Sequence, residues 1–300
     1  MTLNISYNDD YTVSNGSVST VTKADRVAAR IRAQFLAGES GGADVRLVEP
    51  QPITRAELLR IHDPLFVDAV FTGEPVALAE SGGVAVWSEE LLASLLATNG
   101  GARDAAISAL EHGVAGSLSS GLHHAKWGMG DGFCTFNGLA LMAHAAFDQG
   151  CSTVGVLDLD THCGGGTFDI LGTDPRVIIR DLATSGYDSW TAVEDRHTLD
   201  IVRDPEKYML YVEDHLEQLE GIDLLIYNAG MDPADGGGTG STAGFTTHLL
   251  AERERMVAQW SKRTGTPVAF VLAGGYPGRL TIDDIADLHM HTVEAMAAIA

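Results

Sequence analysis

Val154-Gly-Val-Leu-Asp158-Leu-Asp160-Thr-His162-Cys163-Gly-Gly-Gly-Thr167 is the stretch on which the reading of this chain turns. An apolar run stops at Asp158, Asp160 and His162, and three glycines follow at 164–166. Alternate residues of an extended chain point the same way, so Asp158, Asp160 and His162 are expected on one side. Carboxylate and imidazole together, at the end of a buried strand, suit a divalent metal such as zinc.

Outward from this stretch the pattern is regular. Strands are expected at 153–158, 177–181, 223–228 and 267–272, alternating with helices at about 204–219, 245–263 and 283–299. Such alternation means an α/β fold: a central, mostly parallel sheet with helices on both faces. Toward the N-terminus, 20–37 reads as an amphipathic helix and 38–44 as a loop. Thr54 opens a helix with capping-box spacing to Glu57, ended by His62-Asp63-Pro64. Residues 73–86 read as irregular, and 88–112 as a long helix interrupted at Gly100-Gly101. Residues 116–138 read as one long functional loop, and 139–149 as helical. No repeat or long linker divides the chain, so residues 1–300 are expected to form one domain.

Composition narrows the function. The 300 residues are 45% hydrophobic, enough for one large core, and 41 acidic against 19 basic residues give a formal net charge of −22. Without a basic stripe, nucleic-acid binding is a poor fit. The acidity suits solubility first and cationic ligands second. Cys134, Cys151 and Cys163 make neither a zinc knuckle nor a disulfide framework, which points to a reducing, cytoplasmic setting. The polar segment from Met1 to Tyr11 lacks signal-peptide order, and no apolar run is long enough to span a membrane.

The strand ends carry the chemistry. The strand at 222–228 runs into Ala-Gly-Met-Asp232, and the one at 267–272 into Ala-Gly-Gly-Tyr276. Ligands of open parallel sheets bind outside the carboxyl ends of the strands. Asp160, His162, Asp232 and Tyr276 therefore share one edge. Two carboxylates and an imidazole leave a position open for water, as a catalytic zinc requires. The loop G-L-H-H-A-K-W-G-M-G-D-G-F-C-T-F-N (121–137) adds His123 and His124 as acid–base groups. Each element alone has a plainer explanation: a cap, a structural histidine, a turn before Pro233, a packed aromatic. Four such motifs at strand ends are a different matter.

Together they resemble the zinc-dependent histone deacetylase and acetylpolyamine amidohydrolase family of the arginase–deacetylase fold. G-L-H-H-A…G-F-C-T-F-N, L-D-L-D-T-H-C-G-G-G-T, N-A-G-M-D and A-G-G-Y occur in the family's order, and I-T-R-A-E-L-L-R-I-H-D-P-L-F-V-D-A-V (53–70) is a weaker match. The resemblance implies one zinc per chain on Asp160, His162 and Asp232. It implies His123 and His124 as the acid–base pair, Asp158 behind His123, and Tyr276 polarising the substrate carbonyl. Gly132, Phe133 and Gly275 would line a tunnel for the acyl-bearing arm. A structural potassium ion behind the zinc would draw on Asp158, Asp160, His162 and Leu182. The implied reaction is hydrolysis of an acetyl or other short acyl group from an amine, such as acetyl-lysine or an acetylated polyamine. An arginase-type enzyme with two manganese ions and a non-catalytic acyl-lysine binder are the competing readings. A homo-oligomer, with a partner subunit narrowing the tunnel mouth, is compatible with it.

The chain departs from the family pattern in places. Cys163 replaces a second histidine, Gly138 the second asparagine of F-N-N, and Leu122 the glycine of G-H-H. Gly165 stands where an Asp or Asn would partner the second catalytic histidine, so His124 is expected to be less well oriented and catalysis slower. The other tunnel wall is expected from Tyr187 or Trp190. Cys163 invites the question of metal contact or oxidation.

Overall fold

The fold is described from a computed structural model, covering residues 2–12, 22–36, 44–120, 122–192 and 195–300. Eight parallel strands form one sheet: β1 (Thr2–Ser6), β2 (Asp44–Val48), β3 (Val114–Ser117), β4 (Val154–Asp158), β5 (Val177–Ala183), β6 (Thr198–Ile201), β7 (Leu224–Asn228) and β8 (Val268–Val271). Their order is β2-β1-β3-β8-β7-β4-β5-β6. From β4 the chain winds outward through β5 and β6, then returns on the other side of β4 through β7 and β8. The reversal opens a crevice between β4 and β7, where Leu157 pairs with Tyr227 and Asp158 with Asn228.

Alternation along the strands builds two cores. Leu224, Ile226, Ala269 and Val271 face one layer, with α3 (Pro64–Thr72), α5 (Glu89–His112) and α6 (Gly138–Asp148). Leu225, Tyr227, Val268 and Phe270 face the other, with α1 (Lys23–Ile31), α8 (Pro205–Glu217), α9 (Thr247–Thr264) and α10 (Ile282–Ala297). Strands buried on both faces read as continuous apolar runs, which is why β4, β5, β7 and β8 are visible in the sequence. The expected capping box at Thr54 opens α2 (Arg55–Leu58), with Glu57 returning to the Thr54 backbone. The structure adds α4 (Val76–Ala79) inside the stretch expected to be irregular, and α7 (Gly165–Leu171). It also places β3 across the start of the expected 116–138 loop, which holds only the last two residues of the strand. Of the expected 20–37 helix, 22–36 is described; the expected loop at 38–43 and Gly121 of the G-L-H-H-A motif lie outside the described residues. Among the described residues no helix is long and apolar enough to cross a membrane.

One helix corrects the sequence reading. α5 runs unbroken through Gly100 and Gly101. A Cβ on Gly101 would overlap the Tyr11 hydroxyl and lie 2.9 Å from Ser117 Oγ, and one on Gly100 would overlap the Gln51 carbonyl. These glycines let neighbouring chain approach the helix and do not interrupt it. Gly101→Ala is therefore expected to lower the melting temperature, at a cost of about 1–3 kcal/mol. A helix-breaking glycine would instead give a gain of roughly 1 kcal/mol from the same change. Gly128→Ala, whose Cβ would meet nothing within 4 Å, serves as the near-neutral control in a thermal melt.

Candidate metal centre and active site

β4 ends at Asp158, and the chain bends at once. Asp158, Asp160 and His162 thus do not share one face of an extended strand, as the sequence suggested. The His162 amide donates to Asp160 Oδ1 at 2.9 Å, and the Asp160 amide to Asp158 Oδ1 at 3.1 Å. These side-chain-to-backbone bonds shape the turn past the strand end, and Asp158 and Asp160 both lie beside the His123 ring, at 2.8 and 3.7 Å. Asp232 arrives from the loop after β7, with Oδ1 accepting the Thr161 amide at 3.0 Å. Arg253 of α9, fully buried, ties both loops together by donating to the carbonyls of Leu159 (3.2 Å) and Gly230 (2.7 Å).

One donor atom from each of Asp160, His162 and Asp232 lies within 4.8 Å of the others. His162 Nδ1 is 3.1 Å from both Asp160 Oδ1 and Asp232 Oδ2. Asp232 Oδ2 is buried, with His162 Nδ1 its one near donor among the described residues. The cradle is also kept open: a Cβ on Gly274 would lie 2.6 Å from Asp232 Oδ2 and overlap Asp160 Oδ2, the atom that accepts the Gly274 amide at 2.8 Å. Burial and the neighbouring Asp160 push the Asp232 carboxyl up to about 6. Burial opposes the charge on His162 as well, but the two carboxylates raise it to about 11. A divalent cation suits this set: two oxygens and a nitrogen, drawn together in a buried cradle with more carboxylates than cations.

The loop carrying His123 and His124 follows β3 and is pinned at several points. Asn137 caps α6 and donates to the Ala125 carbonyl at 3.0 Å, while the Thr167 amide donates to the His123 carbonyl at 2.9 Å. Buried His62 accepts the Asn137 amide at Nε2 (3.0 Å) and lies 2.9 Å from the Lys126 carbonyl at Nδ1. The His123 and His124 ring centroids lie 4.0 Å apart, with the rings tilted by 43°. Asp158 Oδ2 accepts from His123 Nδ1 at 2.8 Å, and Asn228 donates to Asp158 Oδ1 at 2.8 Å.

His124 is not left without a partner. Asp188, from the loop after β5, accepts from His124 Nδ1 at 2.9 Å, and Lys126 Nζ lies 3.1 Å from its other oxygen. The expectation that Gly165 leaves this ring unsupported is corrected: the carboxylate comes from another loop. Burial lowers the charge of both histidines, yet Asp158 and Asp160 raise His123 to about 10. Burial and the adjacent His123 keep His124 below its ordinary value. The environment thus separates two neighbouring imidazoles into one charged and one neutral.

A cavity of about 630 Å³ opens over this floor, lined by His124, Gly132, Phe133, His162, Tyr187 and Tyr276 among others. The Tyr187 ring stands edge-on to His124 (5.1 Å) and His162 (5.8 Å), and its hydroxyl donates to Asp131 at 2.8 Å. Trp190 is elsewhere, stacked on Phe168 at 4.1 Å and donating to Asp181 at 2.8 Å. Gly275 lies against His289 and Ile285 of α10 and does not line the cavity. Cys163 is buried, with its thiol directed to the Ser185 carbonyl at 3.3 Å; burial and nearby carboxylates hold it protonated, and it stands outside the metal triad. The three non-glycine residues with positive φ among the described residues, Phe133, Asp188 and Ala273, all lie at this site.

A histone deacetylase domain model matches residues 20–194. The chain belongs to the histone deacetylase domain family. An uncharacterised protein of Picosynechococcus sp. is 33% identical over 239 residues, 77% of this chain and 79% of that protein. Histone deacetylase 2 of Arabidopsis thaliana is 26% identical over 304 residues, 95% of this chain and 78% of that protein. Among solved structures, acetylpolyamine aminohydrolase from Burkholderia pseudomallei shares the fold with a TM-score of 0.79 at 18% identity, covering 99% of each chain. As a member of this family the chain is a hydrolase of the deacetylase type.

The charge on His162 gives a test. A metal can bind only the neutral imidazole, and the ring holds its proton up to about pH 11. Cation binding at neutral pH therefore releases that proton, and affinity rises with pH. Calorimetric zinc titrations in buffers of different ionisation enthalpy should report about one proton released per site. Binding heats that do not depend on the buffer would show that no net proton leaves on binding, against the charge assigned to His162.

Proposed function

We propose that this chain is a zinc-dependent amidohydrolase removing an acetyl or other short acyl group from an amine on a flexible arm. Acetyl-lysine and acetylated polyamines are the substrate classes in view. One observation carries the reading: the triad of Asp160, His162 and Asp232 lies beside a histidine pair and a tyrosine on the floor of an aromatic-walled cavity. Family membership supports it, as does the name of the Arabidopsis relative, a histone deacetylase.

Asp160, His162 and Asp232 would hold the metal, which supplies Lewis acidity toward water and the scissile carbonyl. The protein's own groups do the rest. Phe133 and Tyr187 flank the arm and exclude water from it. His124, kept neutral, accepts the proton of the attacking water at Nε2, because Nδ1 faces Asp188. His123, kept cationic by Asp158, stabilises negative charge as it develops and holds a proton within reach of the leaving amine. Burial and the charges of Asp160 and Asp232 hold the Tyr276 hydroxyl well above its ordinary value, so it stays a donor to the carbonyl oxygen. The net charge of −22 favours a cationic substrate body. The potassium ion implied by the resemblance has a supporting feature in Asp181, whose Oδ1 is buried without a partner next to Leu182.

The single metal-binding group among the described residues favours one ion over an arginase-type pair. Full retention of histidines, tyrosine and triad favours catalysis over acyl-lysine binding alone. Zinc-loaded protein should release acetate from an acetyl-lysine peptide or an acetylated polyamine, and a chelator should abolish this. Tyr276→Phe should cut kcat by roughly 10²–10³-fold. A variant as fast as the parent would remove Tyr276 from the mechanism, and tight binding of acetylated ligands without acetate release would favour the binder.

A further inference from the structure

We propose that Asp188 is the positioning residue of His124, a relocated carboxylate that takes the space left by Gly165. Three features of the site carry this. First, the carboxylate is built in: its side chain is 5% exposed, one oxygen accepts from His124 Nδ1 at 2.9 Å, and the other lies 3.1 Å from Lys126 Nζ. Lys126 belongs to the same loop as His124, so acceptor and ring are fixed to one frame.

Second, the two sources of a carboxylate exclude each other. A Cβ on Gly165 would lie 2.6 Å from Asp188 Cγ and overlap both its carbonyl and its Oδ1. A side chain at 165 and Asp188 in its present place cannot coexist. The glycine is therefore the partner of the aspartate and not a simple loss. Third, Asp188 adopts φ +56, a left-handed conformation that aspartate tolerates better than most residues. That turn lets Tyr187 face the cavity while Asp188 points beneath it. Two consecutive residues after β5 thus supply one wall of the cavity and the orientation of the base.

A carboxylate can only accept, so Nδ1 of His124 carries hydrogen and Nε2 is left as the acceptor. The catalytic consequence rests on the deacylase reading above; the pairing itself is tested without turnover. Long-range ¹⁵N–¹H spectra of the zinc-loaded protein, assigned with a His124→Gln variant, should show His124 as the Nδ1–H tautomer. In Asp188→Ala that tautomer should give way to a mixture. In the same variant kcat should fall roughly 10- to 100-fold, the range lost with an orienting partner, while KM, zinc content and melting temperature stay near the parent's. Asp188→Asn, which keeps an acceptor without the charge, should fall between the two and serves if the alanine variant does not fold. Gly165→Ala, whose Cβ would overlap the Asp188 carbonyl and Oδ1, should displace Asp188 and give the same mixture of tautomers. An unchanged tautomer in Asp188→Ala overturns the proposal. A tautomer that responds as stated, in a protein that hydrolyses no acylated amine, sinks the deacylase reading and leaves the pairing standing.

Discussion

A cluster of buried carboxyl groups at one edge of the sheet is the constraint on which the rest depends. Asp158, Asp160, Asp181 and Asp232 are each at most 2% exposed, and the Asp188 side chain is close behind. A carboxylate taken out of water is costly unless hydrogen-bonded or paired. The structure answers with amide donors from Thr161, His162, Gly164 and Gly274, with Asn228 and Trp190 side chains, and with the two histidines. One oxygen of Asp232 is left over, beside His162. A cation at the triad would complete the compensation, and the same field separates the protonation of His123 and His124.

The topology concentrates these groups. β3, β8, β7, β4 and β5 are five neighbours in the sheet. From the loops at their carboxyl ends come, in that spatial order, His123 and His124, Tyr276, Asp232, then Asp158, Asp160 and His162, and finally Asp188. No loop has to reach far, and each is anchored by the pairing of the strand before it. The backbone strain at Phe133, Asp188 and Ala273 falls in three of these connections. It is held by contacts around the site: Lys126 and His124 at Asp188, and the buried Lys23 ammonium, which donates to the Ala273 carbonyl.

The sequence revealed what is buried on both sides. β4, β5, β7 and β8 read as apolar runs because both faces meet helices, and the motifs at the ends of β4, β7 and β8 carry the triad and Tyr276. β2 and β6 lie at the edges of the sheet and, like β1, are short and polar enough to pass for loops. β3 is V-A-G-S, its glycine keeping room for the Phe270 ring, so it has no apolar run to notice. Gly100 and Gly101 misled because a glycine in a helix signals a break or a close approach equally well, and the partners, Tyr11 and Gln51, are distant in sequence. Asp188 was out of reach for the same reason. Gly165 looks like a missing partner until the loop after β5 is seen to fill its place.

A single divalent ion on Asp160, His162 and Asp232 at the cavity floor would complete this site. Diffraction from crystals of the zinc-loaded protein, recorded on either side of the zinc absorption edge, tests it most directly. One anomalous peak per chain is expected, bonded to those three side chains and open toward the cavity. Two peaks sharing the site, or a peak held by other residues with the triad vacant, would contradict it.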